Sequence, residues 1–130
     1  MTATSDIATA DTPSEFERPQ RRSAAWLWQA ITGVVLVALL TLHMVANHFV
    51  VDGGIRTYAQ VVDYLRTPVI FVLEHVFLLT VAVHAMLGLR AVLFDLGLAP
   101  AVERRVTAVL TCLGVVTVAY GVWLLWTVAY

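Results

Sequence analysis

The chain has 130 residues, of which 60% are hydrophobic and 13% charged, and its formal net charge is −1. So few charges cannot cover the surface of a soluble domain, and the composition predicts an integral membrane protein. All eight basic residues are arginines, and they form no pattern typical of nucleic-acid binding. The single cysteine, Cys112, excludes internal disulfides, a CxxCH haem-attachment site and a cysteine-ligated metal cluster within this chain.

The first 22 residues are rich in Ser, Thr, Asp, Glu and Pro and show no hydrophobic period. Such a segment cannot bury enough apolar surface to fold alone. We predict that residues 1–22 form a separate cytoplasmic segment that is disordered or bound to a partner.

Residues 23–130 are predicted to form an all-α membrane domain of three helices, arranged up-down-up. Each apolar segment exceeds the roughly 20 residues that cross a 30 Å hydrocarbon layer. The predicted spans are residues 24–51, 68–94 and 102–130.

The connections between the spans also carry signals. Residues 52–66 are polar with alternate apolar positions, which is compatible with a short interfacial helix. Thr67 followed by Pro68 predicts a capped helix start with proline at its first position. Residues 95–100, DLGLAP, form a tight turn between the second and third spans.

Arginine placement predicts the orientation in the membrane, because cytoplasmic loops are enriched in Lys and Arg. Six arginines fall on the side of the N-terminus and two, Arg56 and Arg66, on the other. The N-terminus is therefore predicted to be cytoplasmic and the C-terminus outside, in a multi-pass protein of the cell membrane.

Two histidines lie deep in the predicted spans but at different levels. His84 lies sixteen residues beyond Pro68, about 24 Å from the outer surface, and His43 lies fifteen residues beyond Trp28, about 22 Å from the inner surface. The two histidines cannot share one haem. If both are ligands, each needs a histidine from elsewhere, which implies a partner membrane subunit.

The segment HAMLGLRAVLFDLG, residues 84–97, carries most of the functional signal. Placing an ionisable group within the hydrocarbon layer costs free energy, so a functional role is the first interpretation of such a residue. A glycine one turn after His84, Gly88, suits a flat porphyrin, and Arg90 suits a haem propionate or a quinone carbonyl. The alternatives are a histidine bonded to a neighbouring carbonyl, a glycine for helix packing and an ordinary cytoplasmic arginine.

Three further polar residues have open interpretations. Glu74 and His75 form either a polar contact inside the bundle, a proton path or a contact for a haem edge. His48, near the exit of the first span, is either solvated or an alternative to His43 as a ligand.

The segment from His84 to Asp95 resembles the second-helix signature of the cytochrome b membrane anchor subunits of succinate dehydrogenase (succinate:quinone oxidoreductase). WLWQAITGVVL looks like the place where those anchors carry HR-x-[ST]-G, and HMVANHFV looks like the first-helix histidine segment of archaeal and actinobacterial anchors. The resemblance covers nearly everything from Trp26 to Gly97.

This resemblance implies a non-catalytic subunit of an enzyme complex that passes electrons to quinone. It implies haem b, one or two per complex and shared with a second anchor subunit, with His84 ligating the haem nearer the cytoplasm and His43 the outer one. It also implies an iron–sulfur subunit, which carries the electrons, and a flavoprotein subunit, which oxidises succinate.

Two departures weaken the expected quinone site. Gln29 stands where anchors of the C type place an arginine, and Leu96 stands where anchors of the D type often have a tyrosine. Trp26, Gln29 and Asp95 are therefore the weaker quinone candidates in this chain, and the histidine-rich first span favours the D type over the C type.

Three other functions remain open at this stage. A fumarate reductase anchor would run electrons in the reverse direction on the same scaffold. A haem-free structural anchor would use its histidines only for helix contacts. A small transporter would need broken helices and a binding group at the membrane midplane, which the sequence does not show.

Overall fold

The computed structural model describes residues 24–49, 53 and 55–130. The predicted N-terminal segment, residues 1–22, lies outside these residues. Every regular element in the described part of the chain is helical: α1 (Ala24–Met44), continued by a π-helical turn (Val45–Phe49), then α2 (Tyr58–Arg66), α3 (Pro68–Phe94) and α4 (Pro100–Ala129).

Three of these helices are long and apolar enough to cross a membrane. They are α1 with its π-helical turn, of 26 residues, α3, of 27 residues, and α4, of 30 residues. At 1.5 Å per residue each exceeds the roughly 30 Å hydrocarbon thickness. The prediction of an all-α protein with three transmembrane helices is confirmed.

Helix α3 is the centre of the arrangement. It packs against α1 on one side and α4 on the other, whereas α1 and α4 make no comparable contact with each other in the described part of the chain. The three helices thus form a single layer rather than a closed bundle. The buried residues are accordingly few and mostly small: Thr32, Leu65, Ala82, Leu110 and Ala129.

Such a layer leaves most of its apolar side chains exposed. Because water at membrane depth is absent, this surface suits lipid tails or the helices of another subunit. Close packing within the layer depends on small residues. A Cβ at Gly121 would lie 2.6 Å from Cδ2 of Leu78, so glycine at this position lets α4 approach α3.

The short helix α2 closes one end of the layer. It begins with a capping box, in which Thr57 and Gln60 satisfy each other's backbone N–H groups. At its other end, Nε of Arg66 donates a hydrogen bond to the carbonyl oxygen of Ala129, 2.8 Å away. This bond joins α2 to the last turn of α4.

The start of α3 differs in one detail from the sequence prediction. Thr67 occupies the N-cap position and Pro68 the first turn, but the Thr67 hydroxyl makes no capping bond. It lies 3.5 Å from the carbonyl oxygen of Asp63 instead, because Thr67 also ends α2. At the other end of α3, Gly97 has a φ of +67°, which lets the chain turn into α4 without strain.

Candidate functional site

His84 lies on the face of α3 that packs against α1. Its Nδ1 atom is 3.2 Å from the hydroxyl oxygen of Thr32, and its Nε2 atom is 3.4 Å from the amide nitrogen of Gln29. Thr32 is one of the few buried residues. We call these residues, together with Gly33 and Gly88, the His84 site.

Thr32 fixes the tautomer of His84. Its hydroxyl lies 2.7 Å from the carbonyl oxygen of Trp28, and it donates its single hydrogen there. Toward His84 it can therefore only accept, so the hydrogen-bond pattern assigns the ring proton to Nδ1. Nε2 keeps its lone pair, which is the form in which a neutral histidine ligates a metal.

Two glycines give the His84 site its shape. A Cβ at Gly33 would lie 3.1 Å from Cε1 of His84, and a Cβ at Gly88 would lie 3.0 Å from Nε2 of Gln29. Both approaches are closer than ordinary van der Waals contact. The ring and the Gln29 amide therefore lie directly against helix backbone.

The Gln29 side chain is only partly satisfied in this environment. Its amide nitrogen faces Nε2 of His84, but its Oε1 atom is buried without a hydrogen-bond partner among the described residues. A buried acceptor without a donor costs about 1–3 kcal/mol. Oε1 of Gln29 thus lacks a hydrogen-bond donor within the part of the chain that the structure describes.

His43 makes a different set of contacts. It lies on α1 about 16 Å beyond Thr32. Its Nδ1 atom lies 3.0 Å from Oε1 of Glu74, and its ring stacks on Phe77 with 5.2 Å between centroids. Glu74 is ten residues before His84 on α3, a rise of about 15 Å. The structure therefore places the two histidines at different levels of the same interface between α1 and α3.

The Glu74 carboxylate also fixes a tautomer. An ionised carboxylate only accepts hydrogen bonds, so Nδ1 of His43 donates to Oε1, and in the neutral ring Nε2 then holds the lone pair. Asn47 lies 3.4 Å from Nδ1, but its amide donates to the backbone carbonyl oxygen of His43 at 2.9 Å. This arrangement resembles the carboxylate–histidine pairs that support metal ligands.

Residues that the sequence analysis did not single out complete the surroundings of His43. Nε of Arg56 donates to Oδ1 of Asn47 at 3.2 Å, and the guanidinium lies 4.1 Å above the ring of Tyr64. The Tyr64 phenol interacts with Asn47 and Glu74, both of which act on its pKa. Burial raises the pKa of the Tyr64 phenol, and the negative charge of Glu74 raises it further. We call His43, Asn47, Arg56, Tyr64 and Glu74 the His43 cluster.

The two remaining histidines have other surroundings. Nδ1 of His75 donates to the carbonyl oxygen of Phe71 at 2.7 Å, and the two rings pack with 4.4 Å between centroids. His48 is exposed within the π-helical turn. Neighbouring positions on α3 thus have different roles, since Glu74 contacts α1 and His75 bonds to its own helix.

Arg90 does not join the His84 site. Its Nε atom donates to the Thr107 hydroxyl of α4 at 3.3 Å, and its guanidinium lies 4.3 Å above the Phe94 ring. Six residues turn a helix by about 240°, so Arg90 faces α4 whereas His84 faces α1. Gly88, one turn from His84, stays on the same side as that histidine.

The three quinone candidates lie at one end of the layer. Gln29 belongs to the His84 site, and Trp26, which is 55% exposed, precedes it by one turn. Asp95 is exposed at the end of α3, about 16 Å along the helix from His84. Of the three, Gln29 contacts the predicted haem ligand His84. In the described part of the chain, no three His, Cys, Asp or Glu side chains form a metal-binding group.

Comparison with known proteins decides the family. Residues 15–125 match the family of succinate dehydrogenase/fumarate reductase transmembrane subunits. The chain belongs to this family. It is 35% identical to the succinate dehydrogenase hydrophobic membrane anchor subunit of Archaeoglobus fulgidus, over 80% of this chain and 88% of that one. It is 24% identical to the subunit of the same name from Thermoplasma acidophilum, over 83% of this chain and 88% of that one.

The resemblance of residues 84–97 predicted this family, and the family match confirms the prediction. The chain is one of the membrane anchor subunits of succinate dehydrogenase, and as such it lies in a bilayer beside partner subunits. Membership also gives a physical reason for the open layer of helices. An anchor that packs against a second membrane subunit needs no closed core of its own.

Proposed function

We propose that this anchor holds haem b and passes electrons from an iron–sulfur subunit to quinone. The observation that carries the proposal is the geometry of His84, which is held by Thr32 through Nδ1 and keeps its Nε2 lone pair. A histidine that only joined neighbouring helices would not need to be held in one tautomer. Here Nε2 faces the side-chain amide of Gln29, which can move aside.

The residues of the His84 site fit a porphyrin. Gly88 leaves the helix surface beside His84 flat, and Gln29, whose Oε1 has no donor, can turn away from Nε2 without losing a strong bond. A haem with two histidine ligands has no open iron position, so it supplies electron transfer and not oxygen chemistry. Thr32 would orient His84 and hold its ring proton on Nδ1, away from Nε2.

The His43 cluster fits a second haem at another depth. Glu74 holds Nδ1 of His43, and Phe77 packs against the flat face of its ring. Because Glu74, which holds His43, lies about 15 Å from His84 along α3, the two histidines would not hold the same haem. We therefore assign the second histidine that each haem would need to a second membrane anchor subunit, which forms the other half of a larger helical bundle.

The remaining assignments follow the orientation predicted by the arginines. The N-terminus lies on the cytoplasmic side, where the iron–sulfur and flavoprotein subunits bind, and the C-terminus lies outside. Quinone binds near Gln29, Trp26 and Asp95, with further residues from the partner subunits. Both relatives described above are named as succinate dehydrogenase subunits, which favours oxidation of succinate over reduction of fumarate. The histidine-rich first span favours a subunit of the D type.

The decisive experiment counts haem in the detergent-purified complex. A pyridine-haemochrome assay, with quantified subunits, is expected to give two b haems per copy of this chain. His84→Leu and His43→Leu are each expected to remove one. His48→Leu is the matched control, because it removes an exposed histidine from the same membrane region. Unchanged haem content in His84→Leu, in a fully assembled complex, would overturn the proposal and leave a structural anchor.

A further inference from the structure

We propose that the groove between α3 and α4 binds an anionic phospholipid, with its phosphate at Arg90 and Arg104 and one acyl chain in the groove. This site is distinct from the two histidine sites, which lie between α3 and α1. The groove has a volume of about 370 Å³ and extends from Arg90 and Thr107 at one end to Leu79 and Val118 at the other.

The lining of the groove matches a hydrocarbon chain. Apart from Arg90 and two threonines it consists of apolar residues and Gly114. The hydroxyl of Thr107 is already used, since it donates to the carbonyl oxygen of Glu103. Beyond the arginine end, Thr111 is the polar side chain in an otherwise apolar lining, and an uncharged chain is the chemistry that this lining accepts.

The length of the groove also matches an acyl chain. From Thr107 to Val118 is eleven residues of helix, about 16 Å, which is about half of a 30 Å hydrocarbon layer and so the depth of one leaflet. An extended acyl chain whose head group lies at the arginine end therefore follows the groove over its full length.

Arg90 lines one end of the groove, and Arg104 lies about one turn of α4 beyond that end. Arg104 precedes Thr107 by three residues, and Thr111, Gly114 and Val118 continue the same stripe at spacings of four, three and four. Arg104 is therefore on the face of α4 that lines the groove, and it is exposed. Arg90 reaches the same place from α3 through its bond to Thr107.

The charge of these arginines is not neutralised within the described part of the chain. Neither forms an ion pair there, although Asp95 and Glu103 lie at the same end of the layer. Arg90 donates its Nε–H to a neutral hydroxyl and stacks on Phe94, which leaves its terminal N–H groups for an anion. A phosphate accepts from two guanidinium groups far better than a neutral quinone carbonyl does. Basic pockets between membrane helices are typical sites for anionic head groups.

The test uses the intact complex, delipidated in detergent and titrated by native mass spectrometry with dioleoyl phosphatidylglycerol or dioleoyl phosphatidylcholine. We expect one phosphatidylglycerol to bind at least tenfold more tightly than phosphatidylcholine. Arg90→Gln and Arg104→Gln should each weaken phosphatidylglycerol binding about fivefold, since a basic residue near the membrane surface contributes about that much. Arg105→Gln is the matched control, because Arg105 lies on the same turn but off the stripe, and it should change nothing.

A second pair of variants tests the chain-binding part of the groove. Thr111→Phe places a ring in the groove and should abolish the tight phosphatidylglycerol site, whereas Val109→Phe, at a 63% exposed position outside the groove, should not. Subunit stoichiometry verifies assembly of each variant. Equal affinity for both lipids, or equal binding by all variants, would overturn the proposal. So would loss of co-purified quinone, with phospholipid unchanged, in Thr111→Phe.

A photocrosslinking variant distinguishes lipid from protein as the occupant. Photoleucine, which is nearly the size of leucine, at position 87 in the lining of the groove should crosslink to phospholipid in membranes. Crosslinking to the partner anchor subunit instead would show that protein covers the groove, and would overturn the proposal.

Discussion

Oε1 of Glu74 lies 3.0 Å from Nδ1 of His43, across the interface between α3 and α1. The Glu74 side chain is only 14% exposed, and that of His43 is 38% exposed. A carboxylate at membrane depth is costly unless it is paired. This pair joins the two helices at one level, orients the imidazole and leaves Nε2 pointing away from Glu74, as a ligand would require.

Removing the charge of Glu74 tests whether it positions a haem ligand. Glu74→Gln keeps an acceptor for Nδ1 but removes the negative charge that makes the imidazole a stronger electron donor. We expect the complex to assemble with full haem content and the midpoint potential of one haem to rise by tens of millivolts. A redox titration followed in the visible spectrum measures this shift.

Two companion variants make the Glu74 result specific. Glu74→Leu, which removes the acceptor too, should lower the occupancy of that haem, in line with losses of about 10–100-fold in metal affinity for such partners. Glu103→Gln, at the other end of the layer, should leave both potentials unchanged. If Glu74→Gln leaves both potentials at their original values, Glu74 serves only to hold the helices together.

The hydroxyl of Thr32 offers a comparable test for His84. Thr32→Val removes the acceptor for Nδ1 at nearly constant volume, and we expect about a 10–100-fold loss of affinity for the haem at His84. Thr32→Ser restores the hydroxyl and should restore the haem. The measurement is haem content per complex after dialysis against a haem-binding protein.

Thr41→Val is the matched control for Thr32. The Thr41 hydroxyl also bonds to a backbone carbonyl in its own helix, that of Val37 at 2.8 Å, but it is exposed. This substitution should leave haem content unchanged. Equal loss in both variants would show that the effect belongs to helix α1 and not to His84.

The layout of the fold could be read from the sequence because the bilayer dictates it. A membrane helix needs about 20 apolar residues, so apolar runs ended by Gly, Pro and charged residues identify the helices directly. The second predicted span and α3 cover the same residues, Pro68–Phe94. The relative depths of His43 and His84 follow from the same rule, since each residue adds 1.5 Å.

The sequence does not show in this way which side of each helix contacts its neighbour. In a soluble protein the polar side of a helix identifies the opposite, buried side, but these spans are apolar on nearly every side. The sequence therefore did not reveal that Thr32 faces His84, that Glu74 faces His43 or that Arg90 turns toward α4.

The segment before α3 supplies two residues of the His43 cluster that the sequence did not predict, for a second reason. Arg56 and Tyr64 enter the His43 cluster only because α2 folds back over the end of the layer. The sequence of residues 52–66 predicts an interfacial segment. Whether Arg56 and Tyr64 enter the cluster depends on tertiary packing. The π-helical turn at Val45–Phe49 likewise has no clear signal in the local sequence.

Tyr64 predicts a specific dependence of stability on pH. Its pKa is raised in the folded protein, so above about pH 10 the unfolded chain releases the phenolic proton before the folded chain does. The contribution of Tyr64 to the free energy of unfolding is therefore complete below about pH 10. It decreases as the pH rises through the raised pKa of the folded protein. Thermal unfolding of the detergent-solubilised complex between pH 9 and 11 should show a smaller decrease for Tyr64→Phe than for the wild type.

Below pH 9 the same substitution should act differently. Tyr64→Phe removes the polar hydroxyl that interacts with Asn47 and Glu74, so it should lower the free energy of unfolding by about 1 kcal/mol, by the same amount at every pH below 9. Tyr58→Phe, at a 76% exposed position of the same helix, is the control and should reproduce the wild-type curve. Parallel curves for Tyr64→Phe and the wild type above pH 10 would contradict the prediction.

Gly88 of α3 provides the last test, because a glycine of α4, Gly114, is crowded to a similar degree. A Cβ at Gly88 would meet the flexible end of Gln29 at 3.0 Å, and a Cβ at Gly114 would meet the flexible Met86 side chain at 3.1 Å. Both alanine variants should therefore assemble. Gly88→Ala should shift the optical and electron paramagnetic resonance signals of one haem, because Gln29 must move beside Nε2 of His84.

Gly114→Ala creates the same local crowding on the opposite side of α3 and should leave both haem spectra unchanged. Gly88→Leu, which fills the flat surface beside His84, should remove one haem altogether, and the loss should match that of His84→Leu in position and size. If Gly88→Leu retains both haems with wild-type spectra, the porphyrin does not lie against this face of α3, and Gly88 serves only to let Gln29 pack between the helices.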